Sequence, residues 1–237
     1  MILVANWKME PLTINQALKL VNFYKKLKYK HIWITPPFVF LPILIKKYKR
    51  YFIFGAQNVH HQNKGAYTGE ISIKMLKNIG CKFVIINHSE RRRMGENLKI
   101  ANQKIKVCLE NKLIPIVCFG EQQKIFNLIK LKKLWEKEYE ILFKDISELK
   151  KIKIVYEPAW AISTEKIGPV PIELVEEFLN WIKTKTDTDI FYGGSVSYKN
   201  IEDYLKLNLK GFLIGSQSLK TKKFQKIVEK IKKYGII

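Results

Sequence analysis

The chain has 237 residues, 47% of them hydrophobic, and a formal net charge of +22 at pH 7. Its longest nearly apolar stretch, Ile32 to Ile45, holds three prolines and is too short to span a bilayer, and the N-terminus lacks the basic region that precedes the apolar run of a signal peptide. Three cysteines, Cys81, Cys108 and Cys118, have neither paired nor metal-type spacing, which points to a reducing cytoplasm rather than a disulfide framework.

Taken in order, strands are expected at Ile2–Asn6, Ile32–Thr35, Phe52–Gln57, Phe83–Asn87, Ile114–Phe119, Ile152–Glu157, Ile190–Tyr192 and Gly211–Ile214. Amphipathic segments such as Leu12–Leu27, Leu98–Asn111, Ile172–Lys185 and Ser197–Leu207 lie between them, with Leu, Ile, Val and Phe at helical spacing. The strands are continuously apolar, as parallel strands covered on both faces are. Eight strands alternating with helices over this length predict one closed (β/α)8 barrel spanning residues 1–237. A doubly wound open sheet is the alternative, weakened because no Gly-rich dinucleotide loop follows the first strand.

Of the 43 basic residues, 39 are Lys, and these are spread along nearly every helix. Base-edge and bidentate phosphate readers lean on Arg. Nucleic acid is therefore not expected as a partner, whereas a positive surface would speed encounter with an anionic substrate. A non-enzymatic protein binding nucleic acid or an anionic surface would instead gather its lysines on one face.

The polar and Gly-rich residues fall at strand ends: Asn6 and Lys8 after the first, His88-Ser89-Glu90-Arg91 after the fourth, Glu157 after the sixth, Gly193-Gly194-Ser195 after the seventh and Gly215-Ser216 after the eighth. A barrel brings these ends to one mouth, where its chemistry sits. Glu157 closes an apolar run that Pro158 stops. Burial there penalises the charged form and is expected to raise the pKa toward that of a general base; a strand-end Glu facing water or paired with Lys is the plainer reading. A helix start after His88 would keep the imidazole neutral and able to donate to a carbonyl. Lys8 supplies fixed charge, and Glu90 is either its partner, an orienting carboxylate or a helix-start Glu. The two glycine pairs suit close approach of backbone N–H groups to a phosphate, although each alone is an ordinary turn. His31, His60 and His61 have no metal spacing.

Asn6-Trp7-Lys8-Met9, Ala56-Gln57-Asn58, Gly65-Ala66-Tyr67-Thr68-Gly69-Glu70, His88-Ser89-Glu90-Arg91-Arg92, Tyr156-Glu157-Pro158-Ala159-Trp160-Ala161-Ile162 and Tyr192-Gly193-Gly194-Ser195-Val196 occur in the order found in triosephosphate isomerases, and the chain resembles that family over its whole length. The resemblance implies interconversion of dihydroxyacetone phosphate and glyceraldehyde 3-phosphate without metal or organic cofactor. It implies Glu157 as the base, His88 as the neutral electrophile, and Lys8 and Asn6 as groups that hold substrate and stabilise an enediolate. Pro158 to Lys166 resembles the lid, and Ser195, Gly194, Gly215, Ser216 and the backbone at Ser163 resemble the phosphate contacts. Gln57 to Glu70, with Thr68 near its tip, resembles the loop that reaches a second subunit, which implies a homodimer.

Four positions depart from the pattern: Asn87 stands for a Gly, Ser163 and Glu165 for the lid glycines, and Ser216 for the second glycine after the eighth strand. Serine keeps its N–H, so a phosphate contact survives; a positive φ there would cost about 1–3 kcal/mol. Glu165 adds negative charge to a lid over a dianion, which is expected to slow closure. A different phosphate-binding barrel, such as an aminosugar isomerase, is the other enzymatic reading.

Overall fold

Eight parallel strands close on themselves in chain order, so the last hydrogen-bonds to the first. They are β1 (Ile2–Asn6), β2 (Ile32–Thr35), β3 (Ile53–Ala56), β4 (Phe83–Ile86), β5 (Ile114–Phe119), β6 (Lys153–Tyr156), β7 (Asp189–Tyr192) and β8 (Gly211–Ile214). This computed structural model describes residues 1–162 and 168–235. The expected barrel is the observed one, with strand limits within about two residues of those read from the apolar runs.

Helices cover the outside. Thr13 opens the helix Ile14–Lys26 with a capping box: its hydroxyl accepts from the Gln16 N–H at 3.3 Å, and the Gln16 side chain accepts from the Thr13 N–H at 3.2 Å. Ala17, Leu20, Val21 and Tyr24 of that helix turn inward at helical spacing. Asn97 and Asn127 cap Leu98–Glu110 and Leu128–Leu142 with their side chains alone, accepting the Ile100 and Lys130 N–H. The expected helix Ser197–Leu207 shortens to Ile201–Leu205. There the Asn200 side chain accepts from the Ser197 N–H and hydroxyl at 2.8 and 3.1 Å and holds the first residues in a turn.

Strand periodicity divides the core in two. Val4, Trp33, Phe83, Ile85, Ile116, Cys118, Val155, Phe191 and Leu213 fill the barrel, whereas Leu3, Ala5, Ile32, Ile34 and their counterparts lie under the helices. Phe83 occupies the space a side chain at residue 55 would need, since a Cβ on Gly55 would sit 2.6 Å from its ring.

Continuing the inward parity past the strand ends adds one more tier. Val4 leads to Asn6, Ile85 to Asn87, Cys118 to Gly120, Val155 to Glu157, Phe191 to Gly193 and Leu213 to Gly215. Three of those six are glycines, so the tier above the packed core leaves room at the mouth.

Candidate active site

A cavity of about 150 Å³ opens on that tier. Asn6, Lys8, His88, Glu157, Gly193, Ser195, Gly215 and Ser216 are among its walls. Every one of them was expected from its place at a strand end. Gly194 lies outside the lining: a Cβ there would meet the Tyr192 hydroxyl at 2.5 Å, so close packing on that tyrosine accounts for this glycine. Glu90 faces the adjoining groove, and Ser163 lies outside the described residues.

Glu157 is 1% exposed. Its Oε1 lies 2.9 Å from His88 Nε2, and its Oε2 accepts the Ser89 N–H at 2.9 Å. Burial alone would raise its pKa, as the sequence suggested. The His88 imidazole, then Arg92 and the Ser89 N–H, outweigh burial and hold it down at about 2. The expected upward shift is therefore corrected: the carboxyl is ionised because two donors meet it inside the barrel.

His88 caps the short helix Ser89–Arg93, and its Nδ1 accepts the Glu90 N–H at 3.2 Å. A ring nitrogen that accepts carries no proton. The imidazole is thus the neutral tautomer, with its one N–H on Nε2 donated to Glu157. The preceding residue, Asn87, sits at φ 61°, a left-handed conformation that asparagine tolerates. Its amide donates to the Cys118 carbonyl at 2.8 Å, which compensates for the missing glycine.

Lys8 also has positive φ, at 56°. Asn6 Oδ1 accepts the Lys8 N–H at 3.1 Å, and Gln57 Nε2 donates to the Lys8 carbonyl at 2.7 Å, so neighbours on two strands fix the strained residue. Its Nζ pairs with Glu90 Oε1 at 2.5 Å. Ser195 is a third left-handed residue, at φ 53°, whereas Ser216 begins a helical turn without positive φ, and the anticipated strain is absent there.

Glu121 escaped the sequence reading, and Arg92 stands there only as a member of a motif, without a role. Glu121 is fully buried and takes the indole N–H of Trp160 at 2.8 Å and of Trp135 at 3.1 Å, while its carbonyl accepts the Ala159 N–H at 2.8 Å. It thereby ties down the segment around Ala159 and Trp160. Arg92 donates to the Gly120 carbonyl at 2.5 Å and to the Glu157 carbonyl at 3.4 Å, bracing the backbone at Glu157. The Gly120-Glu121 pair directly after β5 was the available signal. Among the described residues, no three His, Cys, Asp or Glu side chains converge as a metal site would require.

The triosephosphate isomerase family model matches residues 1–231. The chain belongs to the triosephosphate isomerase family. The triosephosphate isomerase of Wolbachia pipientis wMel is 39% identical over 248 residues, covering 100% of this chain and 96% of the relative. That of Aquifex aeolicus is 36% identical over 243 residues, covering 96% and 98%, and that of Mycoplasma mobile is 36% identical over 241 residues with the same coverage. Membership rests on nearly the whole length of both partners in each comparison, so the strand-end residues come with the complete barrel of this isomerase family around them.

Proposed function

We propose that the chain is a triosephosphate isomerase that interconverts dihydroxyacetone phosphate and D-glyceraldehyde 3-phosphate in glycolysis and gluconeogenesis. The observation that carries this reading is the Glu157–His88 pair on the floor of a cavity flanked by Lys8, Ser195 and Gly215. Glu157 takes a proton from the carbon next to the substrate carbonyl and returns it to the neighbouring carbon. Meanwhile His88 Nε2–H donates to the oxygen that becomes negative in the enediolate, and Lys8 with Asn6 adds positive charge and orientation. Ser195, Gly215, Ser216 and the backbone at Ser163 hold the phosphate, and Pro158 to Lys166 closes over it to exclude water.

The resting geometry adds a coupling. The Nε2 proton that must polarise the substrate is spent on Glu157. A substrate carbonyl that captures it removes the contact that most depresses Glu157, and the carboxylate becomes a stronger base as the electrophile engages. Leaving the Ser89 amide has the same sign.

The reading extends to one domain over residues 1–237, to the cytoplasm and to a homodimer. The three cysteines are free and buried, in keeping with a reducing compartment. Among the described residues no helix is long and apolar enough to cross a membrane. For the dimer, Met9, Val39, Met75 and Met94 are 59–86% exposed, and Met9 and Met94 line an open groove beside Lys8 and Glu90. The loop carrying Thr68 from a second copy fills that groove. Light scattering should give the mass of two chains, and one chain would refute the dimer.

A coupled assay with glyceraldehyde 3-phosphate tests the activity, and absence of turnover would overturn it. 2-Phosphoglycolate should compete with substrate; no inhibition at millimolar concentration would count against the phosphate site.

A further inference from the structure

Cations are spread over nearly every helix, but anions are not. Between Glu10 and Glu70 there is no acidic residue and there are ten basic ones; between Asp203 and Glu229 there is none and there are six lysines. Residues 121–203, by contrast, carry fifteen of the 21 acidic residues against thirteen basic ones. Counting lysines alone, as the sequence reading did, conceals this asymmetry.

The fold joins the two acid-free stretches. Because β8, β1, β2 and β3 are consecutive in the barrel, the helices Thr221–Lys233, Ile14–Lys26 and Leu41–Tyr48 lie side by side. The Tyr24 and Phe224 rings are 4.8 Å apart, the Tyr48 hydroxyl donates to Asn22 Oδ1 at 2.8 Å, and Lys232 Nζ donates to the Leu27 carbonyl at 2.8 Å. At the end of the barrel opposite the mouth, this arc holds two adjoining hollows on which Lys25, Lys28, Lys30, His31, Lys232 and Tyr51 converge, with no acidic residue in either lining. Lys25 Nζ stands 3.9 Å over the Tyr51 ring.

Beside β6 and β7 on the same end, cations are paired with carboxylates. Lys150 pairs with Asp187 at 3.7 Å, Lys151 with Glu148 and Lys153 with Asp189. Among the described residues, Lys25, Lys28 and Lys30 have no such partner. This arc thus lacks, among the described residues, the ion pairs that the β6–β7 side of the same end carries.

We propose that this arc binds the phosphate backbone of single-stranded nucleic acid, independently of sequence. Lysines act as point charges toward phosphates, and the lone Arg50 supplies little base-edge reading. Tyr51, 48% exposed, offers a base a ring surface within the patch. An anionic membrane fits less well. Phe224, Ile227, Val228 and Ile231 of the most basic helix are at most 1% exposed, packed in the layer between the helices and the sheet, and have nothing to insert. The arc lies opposite the cavity of Glu157, so bound nucleic acid leaves the mouth open.

The test uses the full chain and a fluorescein-labelled single-stranded RNA of mixed sequence, read by anisotropy across a salt series. The triple variant Lys28→Glu, Lys30→Glu, Lys232→Glu should bind at least about tenfold more weakly, with a log–log salt slope shallower by about 2, from about 0.7 per lost phosphate contact. A control, Lys130→Glu, Lys133→Glu, Lys137→Glu, makes the same charge change on the helix Leu128–Leu142 and should bind nearly as the parent does. Retained circular dichroism and isomerase turnover show that both variants fold. Absence of RNA binding by the parent up to about 100 µM at about 50 mM salt would overturn the proposal. Equal weakening by the control would overturn it in favour of diffuse charge, and tighter binding to phosphatidylserine vesicles than to RNA would overturn it in favour of a membrane surface.

Discussion

His88 Nε2 and Glu157 Oε1 lie 2.9 Å apart, and the proton between them belongs to the histidine, because Nδ1 accepts the Glu90 amide. The pair is a neutral donor facing an ionised acceptor. Its members come from the ends of β4 and β6, which are separated by β5 in the barrel.

Glu157→Gln keeps the shape of this contact and removes the base. Turnover should fall by about 10²–10⁴-fold or more, with circular dichroism unchanged. Near-normal activity in the coupled assay would sink the assignment.

The low pKa of Glu157 has a consequence for stability. The folded state holds the group at about 2, against an ordinary value of 4.5, so folding favours the ionised form. The resulting stabilisation is complete above about pH 4.5, falls as pH drops toward 2 and amounts to about 3 kcal/mol. Urea unfolding at pH 6 and pH 3 should differ by about 2 kcal/mol through this group, and Glu157→Gln should lose that part of the difference.

Glu138 has the opposite sign. Burial pushes its carboxyl up to about 7, Arg92 opposing and Glu121 assisting, and its Oε2 has no hydrogen-bond partner. Folding therefore favours the protonated form, and stability is lost as pH rises from about 4.5 through 7, up to about 3 kcal/mol. Glu138→Gln should melt higher than the parent at pH 8 and much like it at pH 5. Identical melting shifts at both pH values would contradict this.

Gly215→Ala places a Cβ 3.2 Å from Lys8 Cε. The lysine must yield by a few tenths of an ångström, and turnover should drop about tenfold while the melting temperature barely moves. A large loss of stability with normal turnover would show that Gly215 serves packing alone.

Trp160→Phe removes one of the two indole donors to buried Glu121. The cost should be about 1–3 kcal/mol by urea unfolding. A neutral result would mean that Trp135 and Tyr156 suffice to satisfy the carboxylate.

Much of this was legible in the sequence because strand parity is simple. Once Val4, Val155 and Leu213 are known to face inward, Asn6, Glu157 and Gly215 must follow two residues on. In the sequence these residues stand out by their place just after the apolar runs, and the parity seen in the fold adds why they face the mouth. What it could not reach was the ionisation of Glu157. Burial was visible as an apolar run, but the Ser89 amide and the His88 proton arrive from another strand, and their sum decides the sign. Glu121 was hidden for a related reason: its donors Trp135, Tyr156 and Trp160 are dispersed along the chain and converge only in the fold. The uncompensated arc was present in the sequence as missing acids, a pattern that a count of lysines does not register.

Gly193 and Gly215 leave part of the cavity wall to main chain, and Gly120 lets the backbone pack against Glu157 beside it. A Cβ at Gly120 would sit 2.8 Å from the Glu157 carbonyl carbon, and one at Gly193 would sit 2.8 Å from Val155 Cγ1. At Gly193 and Gly215 there is no rotamer to adjust, so a ligand that presses on those two positions cannot be accommodated by turning a side chain aside. Altering what the site holds would require moving strands that are hydrogen-bonded into a closed ring. Selectivity is in that sense built into the backbone, and laboratory evolution toward a bulkier substrate should find its productive changes in the loops around the rim.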